Sequence, residues 1–450
     1  MNRNISKFFI YHVFDQKCFP EIHKKWLEFE RTQWLPKEKL YENQWHRLQK
    51  LLRHAYQNVP YYRKKFNEVG IQPQDIKSLE DVVNIPILRK SDLRENLHDL
   101  VVSNYQDRMI KNSTGGSTGE PTIFYQDNEF FNIQNAIGHR VDKWAGLEIG
   151  CPNIWIWGTS FNVSPIKKLR ATITSYLTNT HFLSAFELNE PMLMRYIRKL
   201  KRLKPKVIIG YVSCLYVMAQ FMIANKIEDI CPYSVISSAE ILHDYQREAI
   251  EKAFNCKVFN RYGSREVGCI AQECDRHSGL HINAEHVYLE CIHNSKLITN
   301  QDLGALIVTS LSNFAMPFIR YEIGDLGVLS DEDCPCGRGL PLIKSVSGRI
   351  HNIIVCDNGN FIPGEFFSLI LKDYKWIIGF QVIQSDKKNL EIKIQNNGEI
   401  SKGDVRDFQQ KIHDMVGDKI NVTYDFVDKI DKTRSGKYRV TVSNVPISFT

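Results

Sequence analysis

The chain has 450 residues, of which 43% are hydrophobic and 24% are charged. These proportions are typical of globular proteins and argue against a largely disordered, collagen-like or coiled-coil chain, and the length predicts at least two domains. Basic residues exceed acidic residues by seven, a mild excess that suits phosphate-bearing ligands or an anionic surface. The charges are spread along the sequence, so their pattern does not predict a nucleic-acid-binding protein.

The cysteine content and the apolar runs bear on where the protein works. Eleven cysteines, an odd number without regular spacing, predict a reducing, cytoplasmic environment. The apolar stretch at residues 8–14 is short and precedes no cleavage site, so we expect a packed or peripheral helix. The uncharged run at 207–224 approaches the length of a membrane span, but Gly210, Ser213 and Gln220 interrupt it. We expect a buried strand followed by a helix there, and no transmembrane span.

The predicted elements change in character along the chain. The first hundred residues are expected to be mostly helical, with aromatic and leucine side chains at spacings of three and four between Trp45 and Tyr56. From residue 153, strand-like runs at 154–157, 207–211 and 256–259 alternate with helical patterns at 166–177, 192–203, 214–223 and 245–254. This alternation predicts an α/β fold with at least partly parallel sheets, whose ligand-binding loops lie at strand ends.

The pattern changes again after about residue 350, to that of a compact α+β module of ordinary domain size. Helices are expected at 364–371 and 404–415, and strands at 377–383, 390–394 and 422–427.

The strongest local signal is the segment NSTGGSTGEP at residues 112–121. Glycines allow the backbone to bend so that several N–H groups point at one anion, and neighbouring hydroxyls add uncharged donors. The segment therefore predicts a phosphate-binding loop, with a flexible surface loop as the alternative. It is not a Walker motif, because no Lys-Ser/Thr pair follows the last glycine. The candidate binding residues are Ser113, Thr114, Gly115, Gly116, Ser117, Thr118 and Gly119.

Four further motifs follow in order: YGSRE at 262–266, YEIGD at 321–325, SGR at 347–349 and TRSGK at 433–437. Together with the segment at 112–121, they resemble the signature set of the adenylate-forming (acyl-CoA synthetase) superfamily. Within it, the chain is similar to the phenylacetate-CoA ligase family and to that family's CapK-like capsular-polysaccharide branch. The resemblance extends over nearly the whole chain.

The resemblance implies a reaction and assigns roles to residues. A carboxylate attacks the α-phosphate of ATP to give an acyl-adenylate and pyrophosphate, and a thiol or amine then takes the acyl group. Lys437 would bridge the carboxylate and the α-phosphate, Glu266 would bind Mg²⁺ at the phosphates, and Thr118 is the third catalytic candidate. The implied ATP-binding residues beyond the loop are Ser238, Ala239 and Glu240 at the adenine edge, Tyr262 and Gly263 at its face, Asp325 at the ribose, and Arg349 at the ribose or phosphate.

The same resemblance implies two domains, a large ATP- and acyl-binding domain at 1–349 and a small mobile α+β lid at 350–450 that carries Lys437. The acyl pocket is expected between Tyr211, residues 237–239, and aromatic residues after the phosphate loop such as Phe124 and Tyr125. Two positions depart from the family pattern. His351-Asn352 replaces the usual acidic pair, and Glu120 stands where a lysine is common.

A separate group of cysteines and histidines predicts a metal site. Cys334 and Cys336 in a CPCG segment, together with Cys274, His277 and His281, offer thiolate and imidazole ligands that suit tetrahedral zinc. Related ligases carry similar segments, which favours Cys274, His281, Cys334 and Cys336 as the ligands of a structural zinc ion. The alternative is free, buried cysteines beside a core histidine.

We therefore predict an ATP-dependent, AMP-forming ligase that activates a carboxylic acid, with coenzyme A as the acceptor. The alternative acceptor is an amine or sugar in surface-polysaccharide assembly, and a non-catalytic scaffold is the alternative from another class. The implied cofactors are ATP, Mg²⁺, coenzyme A and structural Zn²⁺, and a homodimer is left open.

Overall fold

A computed structural model provides the structure of the protein. It describes residues 5, 6, 8, 20–102, 109–113, 122–158, 165–185, 188–293, 296–297, 302, 304–347, 353–355, 361–363, 367, 370, 374, 376–398, 402–417, 419–430, 441–443 and 445.

The helices of the described chain are α1 (Pro20–Thr32), α2 (Lys37–Asn58), α3 (Pro60–Glu68), α4 (Lys90–Glu95), α5 (Leu97–Leu100), α6 (Asn128–Trp144), α7 (Pro165–Thr178), α8 (Glu190–Leu203), α9 (Val212–Ala224), α10 (Asp244–Phe254) and α11 (Lys402–Val416). Its strands are β1 (Met109–Ser113), β2 (Ile123–Asp127), β3 (Asn153–Trp157), β4 (Thr180–Ser184), β5 (Val207–Tyr211), β6 (Ser234–Ser238), β7 (Lys257–Ser264), β8 (Gly268–Glu273), β9 (Leu280–Ile282), β10 (Val287–His293), β11 (Lys296–Leu297), β12 (Gly304–Ser310), β13 (Tyr321–Ser330), β14 (Leu342–Ser347), β15 (Ile353–Val355), β16 (Phe361–Pro363), β17 (Ile377–Asp386), β18 (Asn389–Asn396), β19 (Asn421–Phe426) and β20 (Thr441–Ser443).

Internal contacts divide the chain into two units. Unit 1 comprises Met1–Thr114, Thr122–Cys151 and Phe259–Gly348, and unit 2 comprises Gly115–Pro121, Pro152–Val258 and Arg349–Thr450. The division into domains at 1–349 and 350–450 stays a prediction.

Unit 1 combines N-terminal helices with an antiparallel sheet, in which the strands follow the order β11-β10-β12-β13-β14-β9-β8-β7. α2 buries Leu48, Leu51, Leu52 and Ala55 along one face, the spacing that an amphipathic helix requires. Strands β1 and β2 form a separate antiparallel hairpin, with Ser113 opposite Ile123. The segment at 114–121 is therefore the connection of a hairpin.

Unit 2 contains the parallel β-sheet that the alternating pattern predicts, in the order β6-β5-β3-β4. Every residue of β5 is buried, and α9, which follows it directly, buries most of its length. The apolar run at 207–224 is thus a core strand and a core helix, as predicted. In the described part of the chain, no helix is long and apolar enough to cross a membrane.

The C-terminal part of unit 2 has a four-stranded mixed sheet in the order β19-β18-β17-β20. Phe380 and Ile392 in this sheet and Phe408 and Ile412 on α11 are fully buried. The strands and the helix predicted from 377 onward are present, each within a few residues of its expected bounds. The helix predicted at 364–371 lies mostly outside the described residues.

Candidate active site and metal centre

The strands on either side of the glycine-rich segment are hydrogen-bonded to the YGSRE motif. The Arg265 guanidinium donates to the carbonyl oxygen of Ser113, the last residue of β1, at 2.9 Å. From β2, the side-chain amide of Gln126 donates to the carbonyl oxygens of Arg265 (3.0 Å) and Glu266 (3.2 Å). Asn112 in turn donates to the Gln126 side chain at 2.6 Å. Both strands that flank the segment at 114–121 therefore contact the motif that contains Glu266.

Glu266 lies in the turn between β7 and β8 and is 7% exposed. The hydroxyl of Tyr321, a core residue at the start of β13, donates to its Oε1 at 3.0 Å. This hydrogen bond fixes the carboxylate. A carboxylate oriented in this way is the hard oxygen ligand that Mg²⁺ prefers.

A second hydrogen bond joins β13 to the hairpin that β7 and β8 form, four residues after Tyr321. The hydroxyl of Tyr262 donates to Oδ2 of Asp325 at 3.0 Å. The predicted adenine-face residue and the predicted ribose acceptor are thus neighbours, and both side chains are half-buried. Gly263 permits the tight hairpin, because a β-carbon there would lie 2.3 Å from the carbonyl oxygen of Gly268.

In unit 2, a second set of candidate residues meets at the carboxyl ends of parallel strands. Trp157 ends β3, Tyr211 ends β5 and Ser238 ends β6, and Tyr211 is paired in register with Ser238. The rings of Trp157 and Tyr211 stack, with centroids 4.4 Å apart and planes inclined by 19°. This edge of a parallel sheet is where α/β proteins bind ligands. Trp157 was not identified from the sequence, although its position at the end of a strand-like run was a signal.

The two residues after Ser238 have unusual environments. Ala239 adopts a left-handed conformation, with φ of 69°. The Glu240 carboxylate accepts hydrogen bonds from the backbone N–H (2.6 Å) and the hydroxyl (2.8 Å) of Ser213, in the first turn of α9. Burial raises the pKa of the Glu240 carboxyl to about 7, although the two hydrogen bonds from Ser213 favour the charged form. The sequence did not identify Ser213 as the partner of Glu240, because the two residues are 27 positions apart.

Several predicted site residues lie outside the described residues: Thr114, Gly115, Gly116, Ser117, Thr118, Gly119, Glu120, Arg349, His351, Asn352 and Lys437. One predicted pocket residue needs correction. Phe124 is fully buried and packs edge-on against Phe318 in the unit 1 core. Its side chain packs into the core and does not line a pocket, because Phe124 lies on the core-facing side of strand β2, where side chains alternate between the two faces.

The four predicted zinc ligands come together in unit 1. Cys274 directly follows β8, His281 lies in β9, and Cys334 and Cys336 lie between β13 and β14. Their ligand atoms all lie within 4.8 Å of one another. The Sγ atoms of Cys274 and Cys334 are 3.7 Å apart, and Sγ of Cys336 is 3.3 Å from Nε2 of His281. Two thiolates at about 2.3 Å from one tetrahedral zinc ion would be about 3.8 Å apart.

The surroundings of this cluster also suit a metal. His281 Nδ1 lies 3.3 Å from the carbonyl oxygen of Leu340, which leaves Nε2 facing the cysteines. Burial lowers the pKa of His281 to about 4, so its imidazole is neutral. The fifth candidate, His277, is not in the cluster, because its ring contacts the Glu273 carboxylate at 3.1 Å and packs on Phe259.

Comparisons with known proteins test the family resemblance. The chain is 26% identical to the protein CapK of Staphylococcus aureus over 421 residues, covering 90% of both chains. It is 24% identical to a phenylacetate-coenzyme A ligase of Thermus thermophilus, covering 80% of this chain and 82% of the ligase. Residues 354–444 match the model of the CapK C-terminal domain. The chain is a homologue of CapK and of the phenylacetate-coenzyme A ligases. The resemblance predicted from the sequence is confirmed.

Solved structures agree on the fold. A 2-hydroxyisobutyryl-CoA ligase in complex with 2-HIB-AMP and CoA aligns with a TM-score of 0.65 at 21% identity, covering 92% of both chains. The same ligase in a postadenylation state aligns with a TM-score of 0.62 at 20% identity, also over 92% of both chains. The fold is therefore that of the adenylate-forming enzymes. The homologues with a stated activity are ligases, which places this chain in the adenylate-forming ligase class.

Proposed function

We propose that the chain is an ATP-dependent, AMP-forming ligase that activates a carboxylic acid and passes the acyl group to coenzyme A. The observation that carries this proposal is the arrangement around the β7–β8 hairpin. The entrance of the glycine-rich segment at Ser113, the buried carboxylate of Glu266, and the pair of Tyr262 and Asp325 all contact this one hairpin. A phosphate loop, a metal-binding carboxylate and a nucleoside site are the parts that adenylation of a carboxylate needs.

In the first half-reaction, a carboxylate oxygen of the acid forms a bond to the α-phosphorus of ATP, and the bond to pyrophosphate breaks. The backbone N–H groups of the glycine-rich segment would hold the phosphates. Mg²⁺, bound through Glu266, would neutralise charge on them. Lys437 would stabilise the charge that develops between the carboxylate and the α-phosphate. Tyr262 would pack on adenine, and Asp325 would accept hydrogen bonds from the ribose.

In the second half-reaction, the thiol sulfur of coenzyme A attacks the acyl carbon, AMP leaves, and the thiol proton passes to solvent. The stacked rings of Trp157 and Tyr211 would form one wall of the acyl pocket in unit 2. A flat apolar wall suits an aromatic or short branched acid.

A second candidate acceptor is an amine or sugar hydroxyl in surface-polysaccharide assembly. Its support is the match of residues 354–444 to the CapK C-terminal domain and the similarity to CapK over 90% of both chains. A panel of carboxylic acids, assayed for pyrophosphate release with and without coenzyme A, separates the two acceptors. Coenzyme A-dependent turnover with a thioester product supports the first proposal. Acid-dependent pyrophosphate release that coenzyme A leaves unchanged supports the second.

Exchange of labelled pyrophosphate into ATP tests the adenylation step by itself. We expect Lys437→Ala and Glu266→Gln each to lower acid-dependent exchange by at least about 100-fold, because each removes a charge that the transition state needs. Lys429→Ala is a matched control, since Lys429 is an exposed lysine in the same C-terminal part. Exchange that persists near the wild-type rate in a variant would mean that the replaced residue does not act in adenylation. No exchange of the wild type with any acid would favour a non-catalytic scaffold.

We also propose a structural zinc ion bound by Cys274, His281, Cys334 and Cys336. Four protein ligands complete a tetrahedron and leave no position for substrate. Metal analysis of the purified protein should find about one zinc per chain. Cys274→Ser should abolish zinc retention and lower the melting temperature. Cys231→Ser, which changes an exposed cysteine outside the cluster, should do neither. A metal-free wild-type protein with an unchanged melting temperature would contradict the proposal.

A further inference from the structure

Helix α8 and the turn after it concentrate positive charge. Residues 190–206 contain seven lysines and arginines and one acidic residue, Glu190. The helix buries Leu193, Tyr196, Ile197 and Leu200, so its basic residues lie on the outer faces. Most of the net positive charge of the whole chain is therefore located on one short surface segment of unit 2.

Three of these cations form a stripe. Arg195, Lys199 and Arg202 follow a spacing of four and three residues, which places them on one face of the helix. Arg195 and Arg202 are exposed, and within the described chain none of the three forms an ion pair with a carboxylate. Burial, together with the neighbouring charges of Arg202 and Arg195, lowers the pKa of Lys199. The three charges are thus close enough to repel one another, and no carboxylate among the described residues pairs with them.

Exposed apolar side chains lie on the strand that Lys199 contacts and on the helix that precedes this strand. The ammonium group of Lys199 donates to the carbonyl oxygen of Phe182 in strand β4 at 3.3 Å. The Phe182 side chain is 50% exposed. His181, the residue before it, lies 3.3 Å from the hydroxyl of Ser175 on α7. The same turn of α7 exposes Ile173 (51%) and Tyr176 (60%).

We propose that this surface, the α8 patch, binds an anionic lipid surface peripherally. The patch consists of Arg195, Lys199, Arg202, Phe182, Ile173 and Tyr176. Cations without acidic partners attract lipid headgroups, and adjacent aromatic and aliphatic side chains insert at the boundary with the acyl chains. The exposed aliphatic side chain of Ile173 in the patch favours hydrocarbon over nucleic-acid bases as the apolar partner. This inference does not depend on the reaction that the ligase catalyses.

Sedimentation of the full chain with vesicles tests the proposal. We expect binding to phosphatidylcholine vesicles that contain phosphatidylglycerol, and much weaker binding to phosphatidylcholine alone. The triple variant R195Q/K199Q/R202Q should lose roughly 100-fold in partitioning, since each cation near an anionic surface contributes about fivefold. The double variant I173S/F182S should lose at least about tenfold, because it removes the inserted apolar area.

The matched control is K24Q/K39Q/K64Q, which removes the same charge from exposed lysines of unit 1. It should leave vesicle binding within about twofold of wild type, since these lysines are not part of the α8 patch and each pairs with a glutamate on its own helix. Circular-dichroism melting curves check that each variant folds. The proposal is overturned by no binding to anionic vesicles at low salt, or by equal losses in the two charge variants. It is also overturned if I173S/F182S binds vesicles as wild type does while duplex DNA competes for the patch.

Discussion

The buried ion pair between Arg140 and Glu285 is predicted to be essential for the stability of unit 1. Arg140 on α6 is fully buried, and its guanidinium donates to both Glu285 oxygens, at 2.6 and 3.1 Å. It also donates to Asn283 and to the carbonyl oxygen of Phe29, and Thr32 donates to Glu285 at 2.6 Å. The pair therefore joins α1, α6 and the turn between β9 and β10. We choose the variant Arg140→Met, which keeps the length of the side chain and removes its charge.

Arg140→Met leaves the Glu285 carboxylate buried without a cation, which costs about 3–5 kcal/mol of unfolding free energy at pH 7. In the wild type, burial raises the pKa of Glu285, but the charge of Arg140 and the hydrogen bonds lower it by more. The pKa of Glu285 is therefore below its ordinary value. The pair's contribution is therefore present above the unfolded pKa of about 4.5 and is lost as the pH falls through the lower folded value. In the variant, burial alone acts, so the pKa of Glu285 should rise.

Urea unfolding followed at pH 7 and pH 5 measures both effects. The loss caused by Arg140→Met should be smaller at pH 5, where Glu285 in the variant can take up a proton. Lys143→Met is the control, because Lys143 on the same helix pairs with Glu30 at the surface and is half exposed. We expect that variant to lose less than about 1 kcal/mol. A loss below about 1 kcal/mol for Arg140→Met at pH 7, or an equal loss at both pH values, would refute the reasoning.

Three further predictions concern the two candidate ligand sites. Gly263→Ala should lower the melting temperature and pyrophosphate exchange, because its β-carbon would lie 2.3 Å from the Gly268 carbonyl oxygen; Gly138→Ala, which meets nothing within 4 Å, should do neither. Trp157→Ala removes one ring of the stack and should raise KM for the acid at least about tenfold, with little change in KM for ATP. Because the folded chain binds the Glu240 proton more tightly than the unfolded chain, protonated Glu240 contributes stability. This contribution is fully present below about pH 4.5 and is lost as the pH rises through about 7. Over that range the wild-type melting temperature should therefore fall relative to that of Glu240→Gln.

The sequence predicted strands β3 and β5 of the parallel sheet but not β4 and β6, and it predicted few strands of the antiparallel sheet. Helix α8 shows a clean periodicity because it buries one apolar face, and strand β5 and helix α9 show a continuous apolar run because they are buried along most of their length. Strand β10 does not, since Glu290 is buried within it and is paired with Arg320 at 3.1 Å. That partner lies thirty residues away in sequence, so no local pattern identifies Glu290 as a core residue. Buried polar residues of this kind break the alternation of apolar and polar residues by which a strand is recognised in a sequence.

The candidate sites show the same division between local and distant information. The residues at 262–266 were identified as candidates from their motif, and the role of Glu266 stays a prediction. The hydroxyl of Tyr321 that fixes Glu266 comes from 55 residues away and was not predicted as its partner. For the proposed zinc site, spacing alone could not choose between His277 and His281. His277 has φ of 52° and turns toward Glu273, whereas His281 lies in a strand that faces the cysteines.

The β7–β8 hairpin connects the two sites of unit 1 and suggests how they divide their roles. Glu266 precedes the first residue of β8 by two positions, and Cys274 follows its last residue. A strand of six residues places its first and last residues about 17 Å apart, at about 3.4 Å per step. A zinc ion at Cys274 would therefore be too far from the phosphates to take part in the chemistry. It would instead anchor one end of the hairpin, so that the other end can hold Glu266 and Tyr262 in fixed positions. Loss of zinc should thus act on activity through the stability of the hairpin, with a larger effect at higher temperature.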